Sequence, residues 1–307
     1  MKLAVIGLLV APQIVFGGLE RYPSLVRADT GRAPRDSIRV TYLGVNGYQL
    51  EASGEKLLVD TYFTRASLIS VAFRQPLQPN DKPIGEALKR VQPRVSGILV
   101  THGHFDHLLD VPLIMSRTGA RLFTGETAVK VAVAAGAPAN RCTAVRPGES
   151  RRVGAFNLHF LAAGHDRLFG EVPYPGPLPE RAAIPRKPHD WVLGEPLAFI
   201  IEANGRRIYI EAGGRIDLLP DTRGKPVDLA ILGTALPDSR KRFAAAVTRL
   251  KPRYVLPSHQ DNFFVPFSRG FSFGPLTDFT YITDAHRRQK LPGELILLDY
   301  FRPWTIP

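Results

Sequence analysis

Apolar and polar positions alternate over short runs early in this chain, then give way to continuous apolar stretches separated by turn residues. Ile38–Leu43, Tyr48–Ala52 and Lys56–Val59 are rich in Val, Leu and Tyr, and Gly44-Val45-Asn46-Gly47 and Ser53-Gly54 split them. Such runs between turn residues predict an antiparallel meander. Gly97–Thr101 is a continuous apolar run, as expected of a strand buried on both faces. Thr124–Ala135 has helical composition and stops at Gly136, a C-terminal cap. Phe156–Ala163, Leu197–Ala203 and Arg206–Glu211 form a second β-rich block, with Asn204-Gly205 as a hairpin turn. Leu229–Gly233, a helix over Ser239–Leu250, Tyr254–Pro257 and Glu294–Leu298 complete the pattern. Two β-rich blocks, each followed by helix–strand units, predict an α/β fold of two packed sheets with helices outside.

The ends and two long loops depart from this pattern. Leu3–Phe16 is an apolar run after Lys2, broken only by Pro12 and Gln13. Its length suits a signal peptide better than a spanning helix, and Val15 and Gly17 are small enough to precede a cut after Gly17. Residues 1–17 therefore read as a signal peptide or membrane anchor, which places the protein outside the cytoplasm or on a membrane; a buried first element and a cytoplasmic protein are the alternative. Residues 18–37 read as a linker or arm, and 38–307 as a single domain. Asp166–Glu195 holds six prolines, and Asp261–Phe279 holds six of the 17 phenylalanines. Long loops of this kind are lids or binding loops.

The chemistry concentrates in Thr101-His102-Gly103-His104-Phe105-Asp106-His107, directly after the predicted buried strand. Three imidazoles and a carboxylate in so short a span each need a polar partner. Residues two apart at a strand end point the same way, so His102 and His104 can approach one ion. Asp106 and His107 fall on the following turn and can face a second. With one cysteine, Cys142, in the chain, any metal is held by His, Asp and Glu. Zn²⁺ is the default for such a site, one ion or two, with Mn²⁺ or Fe²⁺ as alternatives. An ion there lowers the pKa of bound water to about 7, and Asp106 is placed to orient that hydroxide as the catalytic carboxylate.

The His-x-His-x-Asp-His signature after a buried strand resembles that of the metallo-β-lactamase superfamily, over nearly the whole chain from about Ile38. The segment around His259 looks most like the branch of ascorbate-phosphate lactonases and the phospholipase D acting on N-acyl ethanolamine lipids. The resemblance implies a four-layer αββα sandwich. It implies His102, His104 and His165 as one metal site and Asp106, His107 and His259 as the other, with Asp60 supporting the metal loop. The family's bridging aspartate is missing, because Glu211-Ala212-Gly213-Gly214 stands there. Glu211 or a water is the substitute, and the second ion is expected to bind less tightly than the first.

Composition and the loops narrow the substrate. Arg167 is a candidate anchor for phosphate or carboxylate. His189, Trp191, Phe263 and Phe264 are candidates to line an apolar pocket. The net charge of +12 alone points to an acidic partner. With no compact basic run, nucleic acid is the less favoured partner, and an anionic membrane surface or a small or lipid-like substrate fits better. The expected function is hydrolysis of an ester, lactone or phosphodiester by metal-activated water. The alternatives are a metal-dependent nuclease and a non-catalytic metal-binding protein with an incomplete second site.

Overall fold

The computed structural model describes residues 17–31, 34, 36–91, 94–176, 183–222 and 224–307, so all but Gly17 of the predicted leader lies outside the described residues. No helix among the described residues is long and apolar enough to cross a membrane. The 18–37 segment docks on the domain. It carries a 3-10 turn at Leu19–Arg21 and a two-residue strand β1 (Val26–Arg27) that pairs in parallel with Leu297–Leu298. Tyr22 packs edge-on against Phe273 and Phe279, with ring centroids 5.7 and 4.7 Å apart.

The predicted meander forms as β2 (Arg39–Gly44), β3 (Gly47–Ala52) and β4 (Glu55–Val59). Helices α1 (Leu68–Ala72) and α2 (Asp81–Val91) lead to β5 (Val95–Leu99). A four-residue α3 (Phe105–Leu108), then α4 (Val111–Thr118), β6 (Arg121–Thr124), α5 (Glu126–Ala134) and β7 (Cys142–Ala144) follow. The predicted helix over Thr124–Ala135 is thus shorter. Thr124 ends a strand, where its hydroxyl donates to Val100 and it pairs with Ala144, and Gly125 caps the helix in extended conformation.

The second block is β8 (Ser150–Val153), β9 (Phe156–Ala162), β10 (Leu197–Ala203), β11 (Arg206–Glu211), β12 (Leu229–Gly233), α6 (Pro237–Leu250) and β13 (Tyr254–Ser258). Helix α6 starts two residues before its predicted bound, on a proline whose missing N–H is no loss in the first turn. The chain ends with α7 (Phe279–Arg288), β14 (Glu294–Leu295), β15 (Leu297–Leu298) and β16 (Pro303–Thr305).

Two seven-stranded sheets result, in the orders β16-β2-β3-β4-β5-β6-β7 and β14-β13-β12-β11-β10-β9-β8. Alternation along β10 shows why they stack. Leu197, Phe199 and Ile201 enter the core between the sheets, while Ala198 and Ile200 enter the core under α6 and α7. A third core joins the first sheet to α2, α4 and α5 through Ile84, Leu88, Ile114 and Val131. Helix, sheet, sheet and helix form four layers. Within this packing, the loops that follow β4, β5, β9, β11 and β13 carry the polar residues described next.

Candidate metal centre

Each candidate ligand sits just past a strand end. His102 and His104 follow β5, Asp106 and His107 lie in α3, His165 follows β9, and His259 follows β13. The ligand atoms of His102, His104 and His165 lie within 4.8 Å of one another, and so do those of Asp106, His107 and His259. Backbone geometry makes this convergence tight. A side chain at Gly103 would collide with the Val192 carbonyl, so only glycine lets the metal loop run against the 166–195 loop there. His259 adopts φ +59° and donates its amide to Val45 across the two sheets (2.8 Å).

The outer nitrogens of the rings fix which nitrogens face inward. His107 Nδ1 donates to Asp60 Oδ2 (3.0 Å), and His165 Nδ1 to the Asp166 carbonyl (2.7 Å). His104 Nε2 donates to the Pro173 carbonyl (3.0 Å). The Thr101 hydroxyl donates to Asp60 (2.7 Å), so it accepts from His102 Nδ1 (3.0 Å). Asp60 also accepts from the Thr101 amide and the Asn46 side chain. These tautomers leave His102 Nε2 and His104 Nδ1 as two lone pairs facing each other across 3.1 Å. That arrangement is repulsive without a cation between them. Tetrahedral zinc with bonds of ~2.0–2.1 Å places its ligand nitrogens about 3.4 Å apart, so the donor set fits a bound metal.

Electrostatics favour ligand-ready forms in the first triad. Burial, reinforced by neighbouring imidazoles, holds His102 and His104 well below the ordinary histidine range, and burial lowers His165 to about 4. Burial opposes charge on His107 too, but Asp106 and Asp60 outweigh it and raise its pKa. Asp106 would be raised by burial, yet His107 and His259 hold it well below the usual carboxylate range. Among the described residues His259 Nδ1 is buried without a hydrogen-bond partner, so of the five rings this one lacks an outer support there.

Several candidates have other partners. Glu211 is excluded from both triads: Arg242 and the Tyr209 hydroxyl take its carboxylate. The carboxylate beside Gly213 belongs to Asp166. A Cβ added at Gly213 would meet Asp166 Oδ2 at 3.1 Å, and φ +155° there disfavours any side chain. Asp166 accepts from Ser239 Oγ (2.6 Å) and the Gly214 amide (3.2 Å), and burial pushes its carboxyl up to about 6. Its signal in the sequence was adjacency to His165. Arg167 does not stand ready for substrate, because Asp238 holds its guanidinium and its amide. Trp191 is buried in the helix-side core with Ile84 and Leu88, away from solvent, so its role is packing. His189 is exposed beside Asp190 and joins neither triad. Phe263 does face the centre, edge-on to His259 at 5.4 Å, and lies tilted against Phe264 with centroids 4.2 Å apart.

Residues 55–260 match the family described as the Beta-lactamase superfamily domain. The chain belongs to the metallo-β-lactamase superfamily. Its relatives include a metal-dependent hydrolase of Anaeromyxobacter sp. (strain K), 30% identical over 198 residues, which cover 61% of this chain and 67% of the relative. Another from Carboxydothermus hydrogenoformans is 24% identical over 271 residues, covering 85% of this chain and all of the relative. Among solved structures, a metallo hydrolase from Ignicoccus hospitalis superposes with a TM-score of 0.58 at 15% identity, over 88% of this chain and 99% of that one. The diiron β-hydroxylase CmlA of Streptomyces venezuelae gives 0.55 at 15% identity, over 90% of this chain and 55% of its own. At such identity these structures share the fold alone, and the fold does not name the metal. This superfamily member is a metal-dependent hydrolase, and its metal and substrate are matters for the site itself.

Proposed function

We propose that this protein hydrolyses an ester, lactone or phosphodiester, with zinc as its resident metal and an apolar part of the substrate resting on Phe263 and Phe264. The facing lone pairs of His102 and His104, inside the first triad, carry the reading. A divalent ion held by these residues lowers the pKa of water toward about 7 and polarises the substrate oxygen. Asp106 stays ionised through neutral pH under the influence of His107 and His259, so it acts as an acceptor that orients the attacking water. Asp60 holds the His107 ring directly and the His102 ring through the Thr101 hydroxyl, which keeps both inner nitrogens unprotonated. Phe263 and Phe264 offer an apolar wall beside His259.

The experiment is a panel of short- and long-chain esters, lactones and phosphodiesters on protein of measured metal content, with and without added Zn²⁺ or Mn²⁺. Hydrolysis that rises with zinc occupancy and favours longer apolar chains supports the reading. A zinc-loaded protein inactive on the whole panel overturns it, and equal rates on short and long chains remove the apolar wall. His102→Ala is expected to abolish activity and lower zinc content while the thermal unfolding transition persists.

A further inference from the structure

Val45, Asp60, Arg65 and His259 all sit at positive φ, at +57°, +42°, +53° and +59°. For a β-branched residue such as Val45 this is a rare conformation, and such outliers persist where surrounding contacts enforce them. Here the contacts meet at the turn between β2 and β3. The Val45 carbonyl accepts from the His259 amide (2.8 Å), and the Val45 amide donates to Asp261 Oδ1 (2.9 Å). Arg65 and the Tyr300 hydroxyl hold the other Asp261 oxygen. Gly47 closes the turn against Asp60: a side chain there would meet the Gly44 carbonyl at 2.7 Å and the Asp60 carbonyl at 3.1 Å.

Asn46, the other central residue of that turn, is fully buried and uses both ends of its amide. Its amino group donates to Asp60 Oδ2 (2.8 Å), and its carbonyl accepts from Ser258 Oγ (2.6 Å). Ser258 in turn accepts from the Tyr48 hydroxyl (2.9 Å). Every donor points the same way, from Tyr48 through Ser258 and Asn46 to Asp60, and in a buried site each such bond strengthens the next. The two ends of the Asn46 amide therefore reach both halves of the second triad. Asp60 grips the His107 ring, on the first sheet's side, and Ser258 immediately precedes His259 on the second sheet. The His107 and His259 ring centroids are 5.4 Å apart. His259 Nδ1 has no partner, so the backbone is what places that ring.

We propose that Asn46 is a positioning residue for the second triad, tying the Asp60 carboxylate that orients His107 to the strand end that carries His259. This rests on the metal-centre reading above. Val45, on the same turn, holds the His259 backbone, so one turn sets both rings. The first triad depends on that turn less. His102 reaches Asp60 through the Thr101 hydroxyl, and His104 and His165 take their outer support from the Pro173 and Asp166 carbonyls.

The test is calorimetric titration of Zn²⁺ into the metal-stripped full chain as wild type, Asn46→Ala, Ser258→Ala and the double variant. Asn46→Ala is expected to weaken the second ion about tenfold or more and the first by a smaller factor. Ser258→Ala should weaken the second ion in the same sense. The double variant should match Asn46→Ala, because both changes act through one chain of hydrogen bonds; additive losses overturn the proposal. Ile201→Val, in the core between the sheets, controls for stability. It is expected to lower the thermal midpoint and leave the ratio of the two affinities as in wild type. A ratio that falls in this variant too would show that the second ion merely follows stability, and would overturn the role of Asn46.

A second readout needs no metal. In the metal-stripped protein the His107 Nδ1 proton, which Asp60 accepts, is followed by NMR through its exchange with water. It is expected to exchange faster in Asn46→Ala and in Ser258→Ala than in wild type. A wild-type affinity ratio in Asn46→Ala, or wild-type exchange in both variants, overturns the positioning role. If wild type holds a single ion, or Asn46→Ala does not fold, exchange in Ser258→Ala decides: faster exchange upholds the role, and the wild-type rate overturns it. Neither measurement involves turnover, so a zinc-loaded protein inactive on the hydrolase panel would lose the hydrolase reading and keep this one.

Discussion

At Glu211 a buried carboxylate meets a buried guanidinium, and neither ion has water to turn to if the other is removed. Glu211→Gln is therefore expected to lower stability by about 3–5 kcal/mol, measured by chemical denaturation, with metal content unchanged. Loss of metal at preserved stability would return Glu211 to the ligand set. Protonation separates the two triads in a similar way. Each imidazole must be neutral to bind metal. His102, His104 and His165 are lowered, so protons compete with metal at the first triad only well below the ordinary histidine range. His107 is raised, so competition at the second triad begins at higher pH. Equilibrium dialysis with Zn²⁺ from about pH 8 to pH 5, read as metal per chain, is expected to show the second ion leaving first. Simultaneous loss of both would contradict that order. At this scale the His-x-His-x-Asp-His residues were legible because several ligand types sit within one turn of chain. Asp166 was not, since its place depends on Gly213 and Ser239, which are distant in sequence.

The metal loop and the 166–195 loop are locked together at Gly103, whose amide donates to the Leu193 carbonyl (3.0 Å). Gly103→Ala pushes a methyl group into the Val192 carbonyl, and overpacking of this kind costs about 1–3 kcal/mol. The expected outcome is a lower thermal midpoint together with weaker zinc binding, since His102 and His104 flank the displaced residue. A variant with wild-type midpoint and zinc affinity would show that the loops move apart freely. Most strands were legible because their apolar runs lie between turn residues, as in β2, β3, β10 and β11. Helix α2 was missed: its apolar stripe of Ile84, Ala87, Leu88 and Val91 is interleaved with Lys, Glu and Arg. Trp191 was read as rimming the site because the residues around it resemble a lid. Its burial with Ile84 and Leu88 is a long-range contact that no local pattern reveals.

Ligands from both sheets meet at one edge of the sandwich, so the integrity of the centre depends on the core between the sheets. The molecule also carries a net charge of +12, from 40 basic and 28 acidic residues. That excess leads us to expect binding to vesicles containing phosphatidylglycerol at low ionic strength, with release as salt rises from about 0.05 to 0.5 M. Cosedimentation measures it, and equal binding to neutral phosphatidylcholine vesicles would rule out the electrostatic attachment. The chain by itself determined the superfamily, the alternation that stacks two sheets, and the residue types available to a metal. Those features are local in sequence: a motif within one turn of chain, and apolar periods within single strands. Only the tertiary structure decided that Glu211 belongs to Arg242, that Asp166 stands beside Gly213, and that Trp191 packs in the core with Ile84 and Leu88. Each of those partnerships joins segments far apart in the chain, and burial in the packed sandwich, not sequence proximity, selects among the available charges.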